Sequence, residues 1–262
     1  MGTTITFKNL TIGYRSKHQL RAVASSIHAS LQEDKLTCLI GANGVGKSTL
    51  LRTLSGFQPP LDGEILIQDK PLSDYSAREL AQEIGVVLTN RMDTPQLSVQ
   101  EIIGIGRSPY TGFWGTLSSA DQKIVDEAIR QTGIQHLASR SITELSDGER
   151  QKVMIAKALA QQTSLIILDE PTAFLDFPSK VETLQMLRCL AHEQHKSILL
   201  STHDVELALQ IADQLWLMEE NHLSIGTPKE LAEDGSLSRF IDRDGIRFDV
   251  EKMRVELSST FS

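Results

Sequence analysis

Three short stretches, residues 36–40, 165–168 and 197–201, are apolar at nearly every position. A strand lying on one face of a sheet alternates apolar and polar residues. A strand apolar throughout is buried on both faces, and a parallel sheet covered by helices meets that requirement. Further β-rich runs fall at 4–10, 64–67, 84–88 and 215–218, with helix-period patterns at 180–193 and 204–212 between strands. Together they predict an α/β core with a mostly parallel sheet. From 90 to 162 no comparable strand appears, whereas 120–131 and 148–162 carry apolar residues at helical spacing. Residues 90–162 therefore read as a helical subdomain inserted between core segments 1–89 and 163–228. Its opening, 93–115, is rich in Pro, Gly and Ser and reads as loop. The weakly patterned tail, 229–262, reads as a C-terminal extension.

The chain has 262 residues, 40% hydrophobic and 23% charged, which is the composition of a globular domain with a sizeable core. Its 26 Lys and Arg against 34 Asp and Glu give a net charge of −8, so net charge supports no grip on nucleic acid or anionic lipid. The two cysteines, Cys38 and Cys189, cannot build a disulfide framework or a thiolate zinc site, and a reducing cytoplasm fits best. No apolar run approaches the roughly 18 to 20 residues that cross a bilayer. The start lacks the layout of a signal peptide. Met1-Gly2 with Thr6 matches a myristoylation pattern, but Ile5, Phe7 and Leu10 read better as the start of a strand.

Directly after the apolar run 36–40 and before the helical pattern 49–54 stand Gly41, Ala42, Asn43, Gly44, Val45, Gly46, Lys47, Ser48 and Thr49. They satisfy G-x-x-x-x-G-K-[ST] in the strand–loop–helix context that the motif requires. The glycines let successive N–H groups face phosphate oxygens, and the helix adds its positive end. Lys47 is placed to touch the β- and γ-phosphates and Ser48 to ligate Mg²⁺. The spacing predicts a nucleoside triphosphate site.

A second buried run ends in Asp169-Glu170-Pro171, at the strand end where open α/β sheets bind ligands. Asp169 would hold the magnesium shell, and Glu170 would orient or deprotonate the attacking water. A third ends in Ser201-Thr202-His203-Asp204, which puts His203 at the same edge as a donor to the γ-phosphate. In Leu145-Ser-Asp-Gly-Glu-Arg-Gln151, Ser146 and Glu149 form an S-x-x-E capping box ahead of a helix. That accounts for two residues but not for Gly148, which is poor in a first turn unless something approaches the backbone closely. A helix start with a hydroxyl and a small residue is also an anion site. Because it lies in another subdomain from Lys47, it could serve a second copy of the chain.

Taken together, these motifs resemble those of the ATP-binding subunit of an ABC transporter, over about residues 7–228. The resemblance implies a P-loop NTPase fold with an antiparallel N-terminal β region and the inserted helical subdomain. It implies ATP hydrolysis by a head-to-tail homodimer enclosing two ATP with Mg²⁺, with Ser146, Gly148 and Glu149 acting across the interface. Tyr14 matches the aromatic that stacks on adenine, and Ala173-Phe-Leu-Asp176 the segment linking the two sites. Such cassettes place a glutamine straight after the strand here written Ile84-Gly-Val-Val-Leu88, as a Mg²⁺ sensor and permease contact. This chain has Thr89-Asn90 there, with Gln96 too far along. A threonine hydroxyl can ligate a hard cation, which makes Thr89 a candidate ligand of shorter reach.

The stretches Gly106-Arg-Ser-Pro-Tyr110, Val153-Met-Ile-Ala-Lys-Ala-Leu-Ala160 and Thr172-Ala-Phe-Leu-Asp-Phe-Pro178 look most like those of importers of iron–siderophore, haem or cobalamin. Implied partners are integral membrane permease subunits and, indirectly, a substrate-binding protein, with no nucleic acid. The implied location is peripheral, on the cytoplasmic face of the inner membrane. Two alternatives stay open: a soluble ABC ATPase without a permease, as in iron–sulfur cluster assembly, and a P-loop kinase, which would leave 145–151 unexplained.

Overall fold

Burial follows the apolar runs. The computed structural model describes residues 3–15, 19–88, 97–112 and 115–257. The chain opens with β1 (Thr3–Arg15), β2 (Leu20–Gln32), β3 (Leu36–Gly41), α1 (Lys47–Leu54), β4 (Asp62–Ile67), β5 (Lys70–Pro71), α2 (Ala77–Glu83) and β6 (Ile84–Val87). The helices α3 (Val99–Gly104), α4 (Ser119–Gln131) and α5 (Asp147–Ala160) follow. Then come β7 (Leu165–Leu168), α6 (Phe177–Glu193), β8 (Ser197–Thr202), α7 (Val205–Ile211), β9 (Gln214–Glu219) and β10 (His222–Gly226). The chain's described end holds α8 (Pro228–Glu233), α9 (Ser236–Ile241), β11 (Ile246–Asp249) and β12 (Arg254–Leu257).

The larger sheet has six strands in the order β10-β9-β3-β8-β7-β6. Every neighbouring pair is parallel except β9 and β10. β3, β7 and β8 are buried at every residue, and their alternation divides the core in two. Cys38, Ile40, Ile166, Leu168, Ile198 and Leu200 face a cluster shared with α5, α6 and α7. Leu39, Leu165, Ile167 and Leu199 face the other cluster, with α1 and the second sheet. That sheet is antiparallel, in the order β2-β1-β4-β5. Phe7 of β1 meets Trp216 of β9 edge to face, with ring centroids 5.7 Å apart. Both cysteines are free; burial pushes the Cys38 thiol far above its ordinary range, with Asp213 adding to the shift.

The helical stretch differs from the sequence expectation at its opening. Residues 93–115 read as loop, yet 99–104 form α3. Its signals are local: Ser98 and Glu101 make a capping box, and Val99, Ile102 and Ile103 are buried at helical spacing. The Pro, Gly and Ser content of the flanks masks this short turn of helix. Between α3 and α4, the buried Arg107 donates to Asp121 Oδ1 at 2.9 Å, to Ala160 O at 2.7 Å and to Gln162 Oε1 at 3.0 Å. One guanidinium thereby joins three parts of the helical region.

The tail also has more order than its pattern announces. Thr227 and Glu230 cap α8, and Leu231, Leu237, Ile241 and Phe248 enter the main core. β2 went unnoticed in the sequence because its polar residues break the apolar run, and its pairing with β1 is what makes it a strand. The expected lipidation site at Met1-Gly2 lies outside the described residues.

Candidate nucleotide site

Parallel pairing brings the ends of β3, β8 and β7 to one edge, with Ile40 opposite Thr202 and Leu168 opposite Leu200. The loop after β3 turns through Gly44 and Gly46, at φ of 79° and 119°. That left-handed backbone is open to glycine and strained for other residues. It leads into α1, which has no side-chain cap and no acid in its first turn. The leading N–H groups are thus left for an anion.

Lys47 is 5% exposed and folds back on the loop, donating from Nζ to Gly41 O at 2.7 Å and Ala42 O at 3.2 Å. Its Nζ lies 3.5 Å from His203 Nδ1. Burial pulls the ammonium below the ordinary lysine value, while the Glu170 and Asp169 carboxylates pull it back up. An incoming polyphosphate would reinforce the charged form.

Ser48 Oγ donates to Asp169 Oδ1 at 3.1 Å, which joins the start of α1 to the end of β7. Glu170 Oε1 and His203 Nε2 lie 2.6 Å apart. The five residues that the sequence assigned to this edge, Lys47, Ser48, Asp169, Glu170 and His203, thus form one connected group at the start of α1 and the ends of β7 and β8. Sequence reasoning missed Ser201, whose hydroxyl donates to Asp169 Oδ1 at 2.7 Å and accepts the Glu170 N–H at 2.9 Å. Its signal is a polar residue directly after the buried apolar run Ile198-Leu199-Leu200.

Tyr14, near the end of β1, is 52% exposed, and its hydroxyl lies 2.9 Å from Thr49 Oγ1. The ring therefore stands beside the glycine loop with much of its surface open. Thr89 lies outside the described residues, as do Asn90 and Gln96.

At the start of α5, Ser146 and Glu149 form the expected capping box. Ser146 donates to Glu149 Oε2 from N at 2.9 Å and from Oγ at 2.8 Å, and Glu149 N donates to Ser146 Oγ at 3.3 Å. The Ser146 N–H, then its hydroxyl, hold the Glu149 carboxyl below the usual range. A β-carbon on Gly148 would stand 3.3 Å from Ser179 Oγ, so part of the need for glycine comes from α6 of the same chain. The segment 173–176 ends in Asp176, which caps α6 by accepting Ser179 N at 3.1 Å, while Phe174 is 79% exposed at φ 67°.

The C-terminal tail reaches both flanks of this edge. Arg239, Phe240 and Arg243 line a cavity of about 540 Å³ with Ala42–Val45 residues of the glycine loop. Val255 and Leu257 line another, of about 480 Å³, with His203 and Asp204. Among the described residues, no group of three or more His, Cys, Asp or Glu forms a metal cage, and no helix is long and apolar enough to cross a membrane.

A glycine loop on a parallel sheet, a buried lysine and two strand-end acids beside a histidine define a P-loop ATPase. The ABC transporter family model matches residues 24–173. The chain is 38% identical to an uncharacterized ABC transporter ATP-binding protein of Methanocaldococcus jannaschii, over 90% of this chain and 80% of that protein. It is 35% identical to the ferric enterobactin transport ATP-binding protein of Escherichia coli, over 86% and 82%. It is 34% identical to the achromobactin transport ATP-binding protein of Dickeya dadantii, over 92% and 89%. Among solved structures, a metal-chelate type ABC transporter in an inward-facing conformation superposes with a TM-score of 0.78 at 28% identity, over 91% of this chain and 89% of that one. A dimeric bacterial ABC transporter cassette superposes at 0.74 with 25% identity, over 85% and 98%. The chain belongs to the ABC transporter family, as an ATP-binding, ATP-hydrolysing subunit.

Proposed function

We propose that this chain powers an importer of iron chelates, haem or cobalamin, closing as a homodimer on two ATP and driving separate permease subunits in the membrane. The observation that carries the reading is the connected edge in which Lys47, Ser48, Asp169, Glu170 and His203 are joined across α1, β7 and β8. Relatives named for achromobactin, ferric enterobactin, iron(3+)-hydroxamate and cobalamin transport support the cargo class.

In this reading Gly41, Ala42, Asn43, Gly44, Val45, Gly46 and Thr49 wrap the phosphates with backbone and hydroxyl donors, and Lys47 leaves the loop carbonyls for the β- and γ-phosphates. Tyr14 stacks on the base through its exposed face. Glu170 takes or orients the proton of the attacking water, and His203, already paired with Glu170, donates to the γ-phosphate. Ser146, Gly148 and Glu149 meet the nucleotide held by the partner copy.

The residues present fit Mg²⁺. A hydroxyl and a carboxylate, Ser48 and Asp169, stand 3.1 Å apart beside the phosphate loop. That is the sparse oxygen set from which Mg²⁺ is held together with substrate phosphates rather than in an all-protein cage. When bound, the ion would offset charge on the transferring phosphoryl group. Thr89 remains the proposed further ligand.

Residues 1–89 and 163–228 form the proposed nucleotide core, 90–162 the helical subdomain and 229–262 the extension. Between core and helical subdomain lies a groove of about 840 Å³, lined by Phe57, Pro59, Leu72, Tyr75, Leu80 and Lys157 among others. Phe57 is exposed, and burial depresses the Lys157 ammonium. An apolar permease segment carrying a carboxylate would cover the one and neutralise the other. The proposed location of the subunit is peripheral, on the cytoplasmic face of the inner membrane.

Glu170→Gln tests the reading. It should retain ATP, elute as a dimer on size exclusion and lose turnover by roughly a hundredfold or more, the scale of a lost general base. Normal turnover would remove Glu170 from its role. Turnover at full rate by a monomer would remove the dimer, and failure to recover a polytopic protein from gently solubilised membranes would favour the soluble cassette.

A further inference from the structure

We propose that Ser201 is a positioning residue for ATP hydrolysis, a single hydroxyl that sets both acids at the end of β7. The proposal rests on the roles given above to Asp169 and Glu170.

Ser201 is fully buried in β8. Its side chain makes two bonds of opposite sense. The hydroxyl proton goes to Asp169 Oδ1 at 2.7 Å, because an ionised carboxylate can only accept. The oxygen accepts the Glu170 N–H at 2.9 Å. Donor and acceptor are therefore both used, and each acid is addressed once.

The backbone shows why Glu170 needs this. Asp169 still follows the strand ladder, donating its N–H to Val87 O at 2.9 Å. At Glu170 the chain turns to φ 51°, a left-handed conformation that disfavours a residue with a β-carbon. The turned N–H finds its acceptor in a side chain, the Ser201 hydroxyl. At the far end, Glu170 Oε1 meets His203 Nε2 at 2.6 Å. Glu170 is thus held at its backbone and at its carboxylate, both times from the end of β8.

Asp169 is set in the same way. Its Oδ1 receives Ser201 Oγ and, at 3.1 Å, Ser48 Oγ, so two hydroxyls from different elements fix the carboxylate. Loss of the first would remove the shorter of these two hydroxyl contacts. A misaligned Asp169 weakens the hold on Mg²⁺, and a misaligned Glu170 slows attack on the γ-phosphate. Neither defect touches the loop that holds the phosphates, so the two effects separate in measurement.

Ser201→Ala, Ser201→Thr and Ser201→Val test it together, since threonine and valine share a shape and differ by the hydroxyl. Binding of a fluorescent ATP analogue in EDTA should match wild type for the alanine variant, while its melting temperature should fall by only about 2 to 8 °C, the cost of leaving the Glu170 N–H without its acceptor. Its kcat should fall about ten- to a hundredfold, the scale of losing a partner behind a metal ligand, with KM little changed. Calorimetry should show that Mg²⁺ adds less to ADP affinity than it does in wild type. The valine variant should share the defect and the threonine variant should recover most of the rate. Wild-type kcat in the alanine or valine variant overturns the proposal. So does a threonine variant no faster than the valine one, or an alanine defect that appears equally in EDTA binding. A wild-type chain without turnover removes the hydrolysis reading and this proposal with it.

Discussion

The nucleotide edge and the start of α5 both carry serine, an acid and glycine, yet they are built differently. At the edge, every bond crosses elements: Ser48 to Asp169, Ser201 to Asp169 and Glu170, His203 to Glu170. At Ser146 the bonds close within one turn of one helix. The first arrangement is over-determined by the tertiary fold, and the second would survive in an isolated helix. Five capping boxes occur among the described residues, at Ser76, Ser98, Ser118, Ser146 and Thr227. Only the one at Ser146 has a glycine between cap and acid. Local polar satisfaction therefore does not set this helix start apart; the missing β-carbon does.

That contrast yields measurable separations. The largest expected effect is at the edge: Lys47→Ala should weaken ATP binding roughly hundredfold, the worth of a charge-assisted phosphate contact. Equilibrium binding to the isolated chain reads this, and turnover should fall at least as far. If affinity is retained, the lysine folded onto Gly41 O is a structural group and the comparison loses its first term.

A smaller effect is expected at the helix start. Ser146→Ala should lower unfolding free energy by about 1 kcal/mol in urea, the usual cost of losing a cap. ATP binding to the isolated chain should be untouched while turnover falls, because the partner's nucleotide loses its donor. Equal loss of binding and turnover would place Ser146 in its own chain's site instead.

The smallest lies in the frame that carries that helix. The Ser118 hydroxyl, followed by Arg107, lowers the Asp121 carboxyl to about 2, from an ordinary 3.8. A depressed carboxylate stabilises the fold above its unfolded value and loses that contribution as pH falls through the folded one. Acid titration followed by circular dichroism should thus show wild type losing stability between about pH 4 and pH 2. Arg107→Met should lose less across the same window, since part of the depression is already gone. Identical slopes would mean that Arg107 holds the region through Ala160 O and Gln162 rather than through Asp121.

Most of the larger sheet was legible because burial on both faces leaves a local trace: 36–40, 165–168 and 197–201 became β3, β7 and β8 with ends shifted by at most one residue. The glycine loop was legible because its conformation demands residue types at fixed spacing. β2 was not, since its polar residues give no periodic signal and its hydrogen bonds come from β1. α3 was hidden by the glycine and proline around it, although Ser98 and Glu101 announced its start. In the tail, Leu237 and Phe248 are single apolar residues whose burial depends on surfaces supplied from far away in the chain.

What the sequence by itself determined is the set of chemical groups and the elements that end in them, because strand burial, glycine torsions and helix caps act over a few residues. Which groups touch was decided only by the tertiary structure. Parallel register sets Leu168 opposite Leu200, and from that follow the Ser201 bridge and the His203 pairing with Glu170. Hydrogen bonds reach about 3 Å, so contacts between residues far apart along the chain exist only once the sheet has closed the distance.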